Sequence, residues 1–563
     1  MQNQGSRIEQ DRELLRQAQS QGKLTALKTY FRLSGPGWLQ SALTLGGGSL
    51  ANSLYLGVVG GFSLLWLQPM AILLGIVMLA AISWVTLSTG ERPFHAMKNH
   101  ISPVLAWGWV AATFLANLIF SMPQYSLATG VLQQNLMPGL LGEGAAMGDT
   151  VSKLIITISV LILTSIITFS YGSSGWGVRV YEWTLKIMVM LIVASFIGVV
   201  IRLLFVQGSV DFSLLLSGLI PDIRYFWQPA KDYMPLLNSI SDPMVQQFWH
   251  DHIVRTQTDV MIAAVANAVG INMTFLMPYS LLYRNWDIHF RGLSLFDLLT
   301  GMMIPFVLAT SCIIIASGSQ FHLKPAEGLL NESGQIVDNP DHPKWGLLQG
   351  LLSNREEVVS IEEHPLNPEE SRLAATLVTR DAGDLANALA PLTGQTVANV
   401  IFGFGVLAMT LSSITLLMVI SGMVVCEVFN LPRGGWWFRL GSMAAAIGIL
   451  GPFVWSGAKF YLAVPTSVFN YILLPLAYVS FWILLNSKRV MGEHVPTGWA
   501  KIRWNLLMGL ATILTMIGAF WKASGNGGWI GGALFIIVAV VIAADIYRVQ
   551  QREKRESAPP PSE

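Results

Sequence analysis

Charged side chains are scarce in this sequence. Asp, Glu, Lys and Arg make up 12% of the 563 residues, about half their share in soluble domains. None of them occurs between Arg32 and Glu91. Apolar residues make up 53% of the chain, and apolar stretches near the ~20 residues needed to cross a bilayer recur along its length. The composition excludes a soluble protein and predicts a polytopic membrane protein.

Cysteine is equally scarce. The two cysteines, Cys312 and Cys426, fall within predicted spans, which excludes a disulfide framework and a cysteine-based metal cluster. The net charge is +1 and no run of Lys and Arg is typical of nucleic-acid binding, so we expect no nucleic-acid partner. The histidines stand near no nucleophile or paired carboxylate at an enzyme-like spacing. We therefore expect neither an enzymatic activity nor a cofactor.

Hydropathy predicts twelve spans, centred near residues 48, 76, 119, 162, 193, 272, 306, 410, 445, 473, 512 and 538. Most of the Lys and Arg residues fall in both tails and in the loops that follow even-numbered spans, which predicts cytoplasmic termini under the positive-inside rule. We expect a plasma membrane location, in a bacterial inner membrane. The expected partners are the lipid bilayer and a small-molecule or ion substrate, and the sequence carries no signal of an oligomeric state.

Two of these spans carry helix-breaking residues in their middles. "SALTLGGGSLANS", residues 41–53, holds Gly46, Gly47 and Gly48, and "VGINMTFLMPYSLLYRNW", residues 269–286, holds Pro278. Glycine weakens a helix by entropy and proline removes a backbone hydrogen bond. Paired interruptions at corresponding positions are typical of inverted-repeat transporters, whose substrate binds at the membrane midplane. We therefore expect spans one and six to be unwound near 46–49 and 277–280, facing each other across a central cavity.

The order of several motifs resembles the Nramp family of divalent-metal transporters. The motifs are "GPGWLQSALTLGGGSLANSLYLGVVGGFSLLW", "FLMPYSLL", "LAPLTG", "LAMTLSSITLLMVISGMVVCEVFNL" and "RVMGEH", within residues 33 to about 500. The resemblance implies an all-α, leucine-transporter-type fold with two inverted five-helix repeats, broken helices one and six, and two further C-terminal spans. It also implies alternating access, with Mn²⁺ or Fe²⁺ usually imported together with protons.

This fold divides the chain into six expected segments. They are an N-tail at 1–32, a first repeat at 33–207 holding spans one to five, an outer loop at 208–258, a second repeat at 259–486 holding spans six to ten, spans eleven and twelve at 487–548, and a C-tail at 549–563. The second repeat includes an acidic outer loop at 321–385. That loop is expected to be solvated, with a cation-collecting vestibule as the alternative.

The chain departs from the family at the metal ligands. Where the family has Asp-Pro-Gly-Asn in span one, this chain has Gly46, Gly47, Gly48 and Ser49. Where it has Met-Pro-His-Asn in span six, this chain has Met277, Pro278, Tyr279 and Ser280. The resemblance therefore leaves two metal ligands, the backbone carbonyl of Thr274 and the thioether of Met277.

The missing acids leave two substrate classes open. Mn²⁺ and Fe²⁺ normally take at least one carboxylate ligand, yet the middles of the core spans hold no Asp or Glu, and "LANLIFSMPQYSLATG" of span three holds none in any register. Bare glycine backbone and two half-helix N-termini instead favour an anion or a carboxylate. The alternatives are thus a divalent metal ion, as the resemblance implies, and a small anionic or zwitterionic solute. A non-transporting membrane sensor is an alternative of another class.

The candidate substrate-binding residues follow from the two motifs and their flanks. They are Gly46, Gly47, Gly48, Ser49, Asn272, Thr274, Met277, Tyr279 and Ser280.

Overall fold

The computed structural model describes residues 2–142, 144–171, 212–381, 395–432, 435–454 and 461–556, with a few isolated residues between these ranges. In the described residues the regular structure is helical, apart from one antiparallel bridge between Leu330 and Ile336. The helices up to residue 171 are α1 Gln2–Gln21, α2 Lys23–Leu33, α3 Pro36–Thr44, α4 Gly47–Gly60, α5 Leu67–Thr89, α6 Pro93–His100, α7 Pro103–Val131, α8 Pro138–Leu141 and α9 Asp149–Tyr171.

The helices after residue 211 continue this numbering. They are α10 Phe212–Gly218, α11 Met234–Asn238, α12 Pro243–Ala268, α13 Ile271–Tyr283, α14 Arg291–Asp297, α15 Ile304–Phe321, α16 Trp345–Glu356, α17 Pro368–Leu377, α18 Gln395–Val428, α19 Trp436–Ser442, α20 Gly451–Val454, α21 Ala463–Leu473, α22 Pro475–Asn486, α23 Lys488–Met491, α24 Gly498–Asn526 and α25 Gly528–Glu556. Short π turns span Leu132–Leu136 and Leu298–Met303, and 3₁₀ turns span Ile223–Phe226, Lys231–Tyr233, Ile288–Phe290, Met443–Leu450 and Gly492–His494.

The membrane-spanning segments match the hydropathy prediction where the structure describes them. Ten segments of the described residues are long and apolar enough to cross a bilayer, and the bent pair Gly37–Thr44 and Gly47–Gly60 makes eleven. These segments coincide with eleven of the predicted spans. The remaining prediction, centred near residue 193, lies outside the described residues.

Span one is broken close to the expected place. Helices α3 and α4 meet at 52° with only Leu45 and Gly46 between them. Gly46 is extended, with φ −83° and ψ 177°, and it forms the N-cap of α4. Gly47, Gly48 and Ser49 were expected to be unwound, but they form the first turn of α4. The break itself is therefore confirmed, and it is shorter than the predicted 46–49.

Span six is broken elsewhere than predicted. Helix α12 ends at Ala268 and α13 begins at Ile271, with Val269 (φ −146°, ψ 104°) and Gly270 (φ −81°, ψ 164°) extended between them. The prediction of unwinding at 277–280 is wrong, because α13 continues through Pro278 to Tyr283. Proline has a helix-compatible φ, and neighbouring helices can satisfy the backbone group that it frees in a membrane protein.

Burial identifies the central and the peripheral helices. The segment Pro243–Tyr283 holds the second break, and 89% of the residues in its most apolar 18-residue stretch are buried. In the segment Gly528–Arg552, only 6% of the residues in the most apolar stretch are buried. The second break therefore lies in the centre of the bundle, and α25 presents nearly its whole apolar surface to lipid.

The acidic loop expected at 321–385 is folded and not simply solvated. Inside it, the guanidinium Nε of Arg355 donates to Oε1 of Glu370 at 2.8 Å, and both side chains are almost fully buried. Arg355 also donates to the carbonyls of Val359 at 2.6 Å and His364 at 2.7 Å. The indole N–H of Trp249 donates to Glu370 at 2.9 Å. Because Trp249 belongs to α12, this ion pair fastens the loop to the first half of span six.

Candidate substrate site

The two breaks meet at Thr44, the last residue of α3. Its hydroxyl oxygen lies 3.5 Å from the carbonyl oxygen of Ala268 and 3.5 Å from the sulfur of Met273. Ala268 ends α12 and Met273 lies in the first turn of α13. A single hydroxyl therefore contacts both sides of the second break from the edge of the first.

The hydroxyl of Ser49 does not cap α4. It donates to the backbone carbonyl of Thr44 across the break, while Gly46 occupies the N-cap without any side-chain acceptor. Gly270 likewise forms the N-cap of α13 without a side-chain hydrogen bond. Both half-helices thus begin on a glycine beside a break, and the N-terminal end of a helix carries about half a positive charge.

The glycines of span one allow neighbouring side chains to reach bare backbone. A β-carbon on Gly46 would lie 1.9 Å from the hydroxyl oxygen of Ser413 in α18. A β-carbon on Gly48 would lie 2.4 Å from the side-chain oxygen of Asn267 in α12. Real β-carbons do not approach other atoms so closely, so a larger residue at either position would force these neighbouring side chains to shift.

Gly47 faces packed side chains as well. Its β-carbon would lie 2.6 Å from the Leu127 side chain and 2.7 Å from the amide oxygen of Gln124, both in α7. Gln124 is fully buried, and neither its amide nitrogen nor its amide oxygen has a hydrogen-bond partner among the described residues. The hydroxyl of Ser413 is in the same situation. Buried polar atoms without partners are rare in folded proteins and mark places for a polar ligand or water.

A second polar cluster lies on the other side of Gly48. The amides of Asn52 in α4 and Asn267 in α12 both donate to the hydroxyl of Ser467 in α21, at 3.1 and 2.6 Å. They also donate to the carbonyl of Ala263, at 3.4 and 2.8 Å. The amide oxygen of Asn52 is buried without a partner among the described residues. This cluster joins both broken spans to span ten.

Sequence reasoning missed these polar residues, which are Asn52, Gln124, Asn267, Ser413 and Ser467. Their signal was present, because each is a polar residue inside a long apolar span, where polar side chains are costly and tend to be functional. None of them is a glycine or a proline, so the helix-breaker pattern did not point to them.

Three of the predicted residues lie further along α13, away from the break. A rise of ~1.5 Å per residue puts Met277 about 10 Å from Gly270. Its sulfur lies 3.6 Å from the amide nitrogen of Gln40 in α3. The Tyr279 ring stacks on Phe275 with centroids 4.4 Å apart, and the Ser280 hydroxyl donates to the Met277 carbonyl at 2.8 Å.

Asn272 and Thr274 stay closer to the second break. The side-chain oxygen of Asn272 accepts from the N–H of Met273 at 2.9 Å. The Thr274 hydroxyl accepts from the indole N–H of Trp109 at 2.9 Å and donates to the Ile271 carbonyl at 2.5 Å. The structure therefore brings Gly46, Gly47, Gly48, Ser49 and Asn272 to the breaks, where the sulfur is that of Met273 and not that of Met277.

Acidic side chains near the broken spans have structural partners. Asp297 is buried and accepts from the N–H groups of Gly35 at 3.1 Å and Gly37 at 2.6 Å, and from the hydroxyl of Ser34. It therefore caps the start of α3, the end opposite to the break. In the part of the chain that the structure describes, no group of three His, Cys, Asp or Glu side chains is placed to hold a metal ion.

Several solved structures share this architecture. The Eremococcus coleocola manganese transporter, in complex with an aromatic bis-isothiourea substituted compound, is 17% identical with a TM-score of 0.61, over 94% of this chain and 96% of that one. A mutant of the same transporter is 15% identical with a TM-score of 0.60, over 94% of this chain and 96% of that one. A third structure is that of Mhp1, a nucleobase-cation-symport-1 family transporter in a closed conformation with bromovinylhydantoin bound. It is 11% identical with a TM-score of 0.51, over 92% of each chain.

Likeness at these identities defines a fold, and here it is the leucine-transporter-type fold of membrane transporters, with its two broken helices. Residues 371–520 also match the family model described as natural resistance-associated macrophage protein-like. No curated protein matches the chain. The matched region and the shared fold make the chain similar to the Nramp family, although the family's usual metal-binding side chains are replaced in spans one and six. Family and fold support a multi-pass secondary transporter of a small substrate.

Proposed function

We propose that this transporter moves a small anionic or zwitterionic solute, such as an amino acid or a small organic acid, by alternating access. The observation that carries the proposal is the pair of glycine-capped half-helix N-termini at Gly46 and Gly270, beside breaks that Thr44 joins. Positive helix ends without a neighbouring carboxylate attract a negative group. The substrate carboxylate would meet these backbone N–H groups, as in amino-acid transporters with broken helices.

The polar side chains around the breaks suit the rest of such a solute. The buried amide oxygens of Gln124 and Asn52 have no partner in the described residues and accept hydrogen bonds from an ammonium group. The amide nitrogen of Gln124 and the hydroxyl of Ser413 donate. An uncharged site of this kind selects by the geometry of hydrogen bonds, because a missing partner leaves a buried polar atom unsatisfied.

Membrane and orientation belong to the same proposal. Both termini lie in the cytoplasm of a bacterial cell, since the tails and the loops after even-numbered spans hold most of the Lys and Arg residues and positive charge stays on the cytoplasmic side. The acidic loop of α16 and α17 then lies outside the cell.

A divalent metal ion is the second candidate, favoured by the family match and by the similarity to a manganese transporter. Its difficulty is chemical. The sulfur of Met277 is already contacted by Gln40, and no described carboxylate lies at the breaks. An unpaired charge at mid-membrane costs at least ~3 kcal/mol on insertion scales, so a divalent ion needs compensation that these neutral groups do not give.

Calorimetry of the purified full chain separates the two candidates. The melting temperature is measured with L-amino acids, with small carboxylic acids and with MnCl₂, since a ligand at 100 times its Kd stabilises the folded state by about 2.7 kcal/mol. We expect stabilisation by a member of the first two groups and none by Mn²⁺. Saturable stabilisation by Mn²⁺ at micromolar concentration, with no response to the organic solutes, would establish the metal candidate.

A further inference from the structure

A cavity of about 580 Å³ opens between α22, α24 and α25, far along the chain from both breaks. The lining includes the basic residues His100, Lys488 and Arg489. It also includes the apolar residues Ile101, Ile483 and Ile546. None of the described residues that line the cavity is acidic, so the lining combines basic side chains with apolar ones.

The polar amide part of the cavity lining is preformed. The amides of Asn486 and Asn505 exchange hydrogen bonds of 2.8 and 3.0 Å. The indole N–H of Trp482 donates to Asn505 at 2.7 Å, and Asn505 donates to the carbonyl of Lys501 at 3.0 Å. These amide groups satisfy one another, so this polar part of the cavity lining is held in place before any ligand binds.

The acidic residue beside this cavity is engaged elsewhere. Asp545 precedes the lining residue Ile546, and its carboxylate accepts from the hydroxyl of Ser102 at 2.5 Å and from the N–H of Val104 at 3.3 Å. It therefore caps the start of α7.

The cavity opens at the level of the lipid headgroups. It is bounded by α25, whose apolar surface faces lipid, close to the end of the spanning segment at Arg552. Trp499, at the start of α24, is 84% exposed, and exposed tryptophans of membrane proteins concentrate at the interface between hydrocarbon and water. Phosphate groups of the bilayer lie at this depth.

We propose that this cavity is a binding site for an anionic glycerophospholipid. The phosphate lies against His100, Lys488 and Arg489, and the acyl chains run along Ile483 and Ile546 towards α25. Basic cavities between spanning helices suit anionic headgroups, and the isoleucines exclude a purely aqueous anion. The site does not depend on the substrate proposed above.

Native mass spectrometry of the detergent-solubilised full chain, titrated with phosphatidylglycerol or phosphatidylcholine, tests this site. We expect the double variant Lys488→Gln with Arg489→Gln to bind phosphatidylglycerol about 30-fold more weakly, since each basic residue near an anionic lipid surface contributes on the order of fivefold. The matched control is Lys501→Gln with Arg503→Gln, a second basic pair on α24 outside the cavity lining, which should keep the affinity of the unsubstituted chain.

A second variant keeps the charges and removes the space. Ile546→Trp fills the apolar side and should also weaken phosphatidylglycerol binding. Equal affinity for phosphatidylcholine, equal loss in the control pair, or undiminished binding in both cavity variants would each overturn the proposal. Displacement of the lipid by millimolar inorganic phosphate would show a phosphate site in place of a lipid site, and would overturn it as well.

Discussion

The hydroxyl of Thr44 lies 3.5 Å from the sulfur of Met273, so the end of α3 contacts the first turn of α13 across both breaks. The same hydroxyl lies 3.5 Å from the carbonyl of Ala268. A transporter of this fold works by moving such half-helices relative to one another. Movement of α3 would therefore change the contacts of Thr44 with both halves of span six.

Replacing Thr44 tests this position directly. Thr44→Val keeps the volume and removes the hydroxyl, and we expect it to abolish the thermal stabilisation by the solute that stabilises the unsubstituted chain. Thr44→Ser should retain the effect. The matched control is Thr512→Val in α24, which removes a buried hydroxyl bonded to the Met508 carbonyl far along the chain from the breaks. Retention of the stabilisation in Thr44→Val would remove Thr44 from the site.

Installing a carboxylate at the first break should create a metal site, provided that space is made for it. A β-carbon on Gly46 meets the Ser413 hydroxyl at 1.9 Å, so we expect Gly46→Asp alone to destabilise the protein. Gly46→Asp with Ser413→Ala should bind Mn²⁺, because one carboxylate now supplies the charge that hard cations require. Titration calorimetry measures this binding, and Gly46→Asn with Ser413→Ala, which is neutral, should show none. Micromolar Mn²⁺ binding by the unsubstituted protein would contradict the argument.

Composition predicted a polytopic membrane protein, and the motif resemblance implied the leucine-transporter-type fold. The helix breakers located the first break but misplaced the second. Pro278 is the stronger sequence signal, yet a proline inside a membrane helix is tolerated when its neighbours replace the lost bond. Gly270 between two β-branched residues is a weaker signal, and it marks the actual break. The sequence also could not tell a glycine that lines a cavity from one that permits close packing, since that depends on which side chains of α7 and α18 face it.

Gly47 illustrates this difference. The sequence predicted Gly47 to line a central cavity as a substrate-binding residue, whereas the structure packs it against Leu127 and Gln124. We expect Gly47→Val to lower the free energy of unfolding by about 1–3 kcal/mol, the usual cost of overpacking. Gly47→Ala, which adds a smaller side chain, should lower the melting temperature less. A Gly47→Val protein as stable as the parent would show that the neighbours yield without cost.

The buried ion pair of the outer loop should control the stability of that loop. Arg355→Met leaves the carboxylate of Glu370 buried without its cation, which costs about 3–5 kcal/mol. The double variant Arg355→Met with Glu370→Leu removes both charges, and we expect it to be more stable than the single variant. Thermal unfolding of the three proteins measures the difference. A single variant that unfolds like the parent would mean that water reaches Glu370.

A histidine and an aspartate connect the C-terminal ends of α4 and α15, and this contact predicts a dependence on pH. The ring Nδ1 of His322 lies 3.0 Å from the carbonyl of Val58, and its Nε2 lies 3.2 Å from Asp232. Both ring nitrogens therefore face oxygen atoms. The hydrogen bond from His322 is the main reason that the pKa of Asp232 is lowered, and partial burial opposes it.

A carboxyl group whose pKa is lowered by folding stabilises the folded state above its unfolded pKa of about 3.9, and this contribution is lost as the pH falls through the folded pKa. We therefore expect Asp232→Asn to melt at a lower temperature than the parent at pH 6, and the difference to shrink as the pH is lowered from about 4 towards 3. The exposed Asp338 provides the control, because Asp338→Asn should follow the parent at both pH values. A difference between Asp232→Asn and the parent that persists unchanged at pH 3 would mean that the contact stabilises the protein through packing and not through charge.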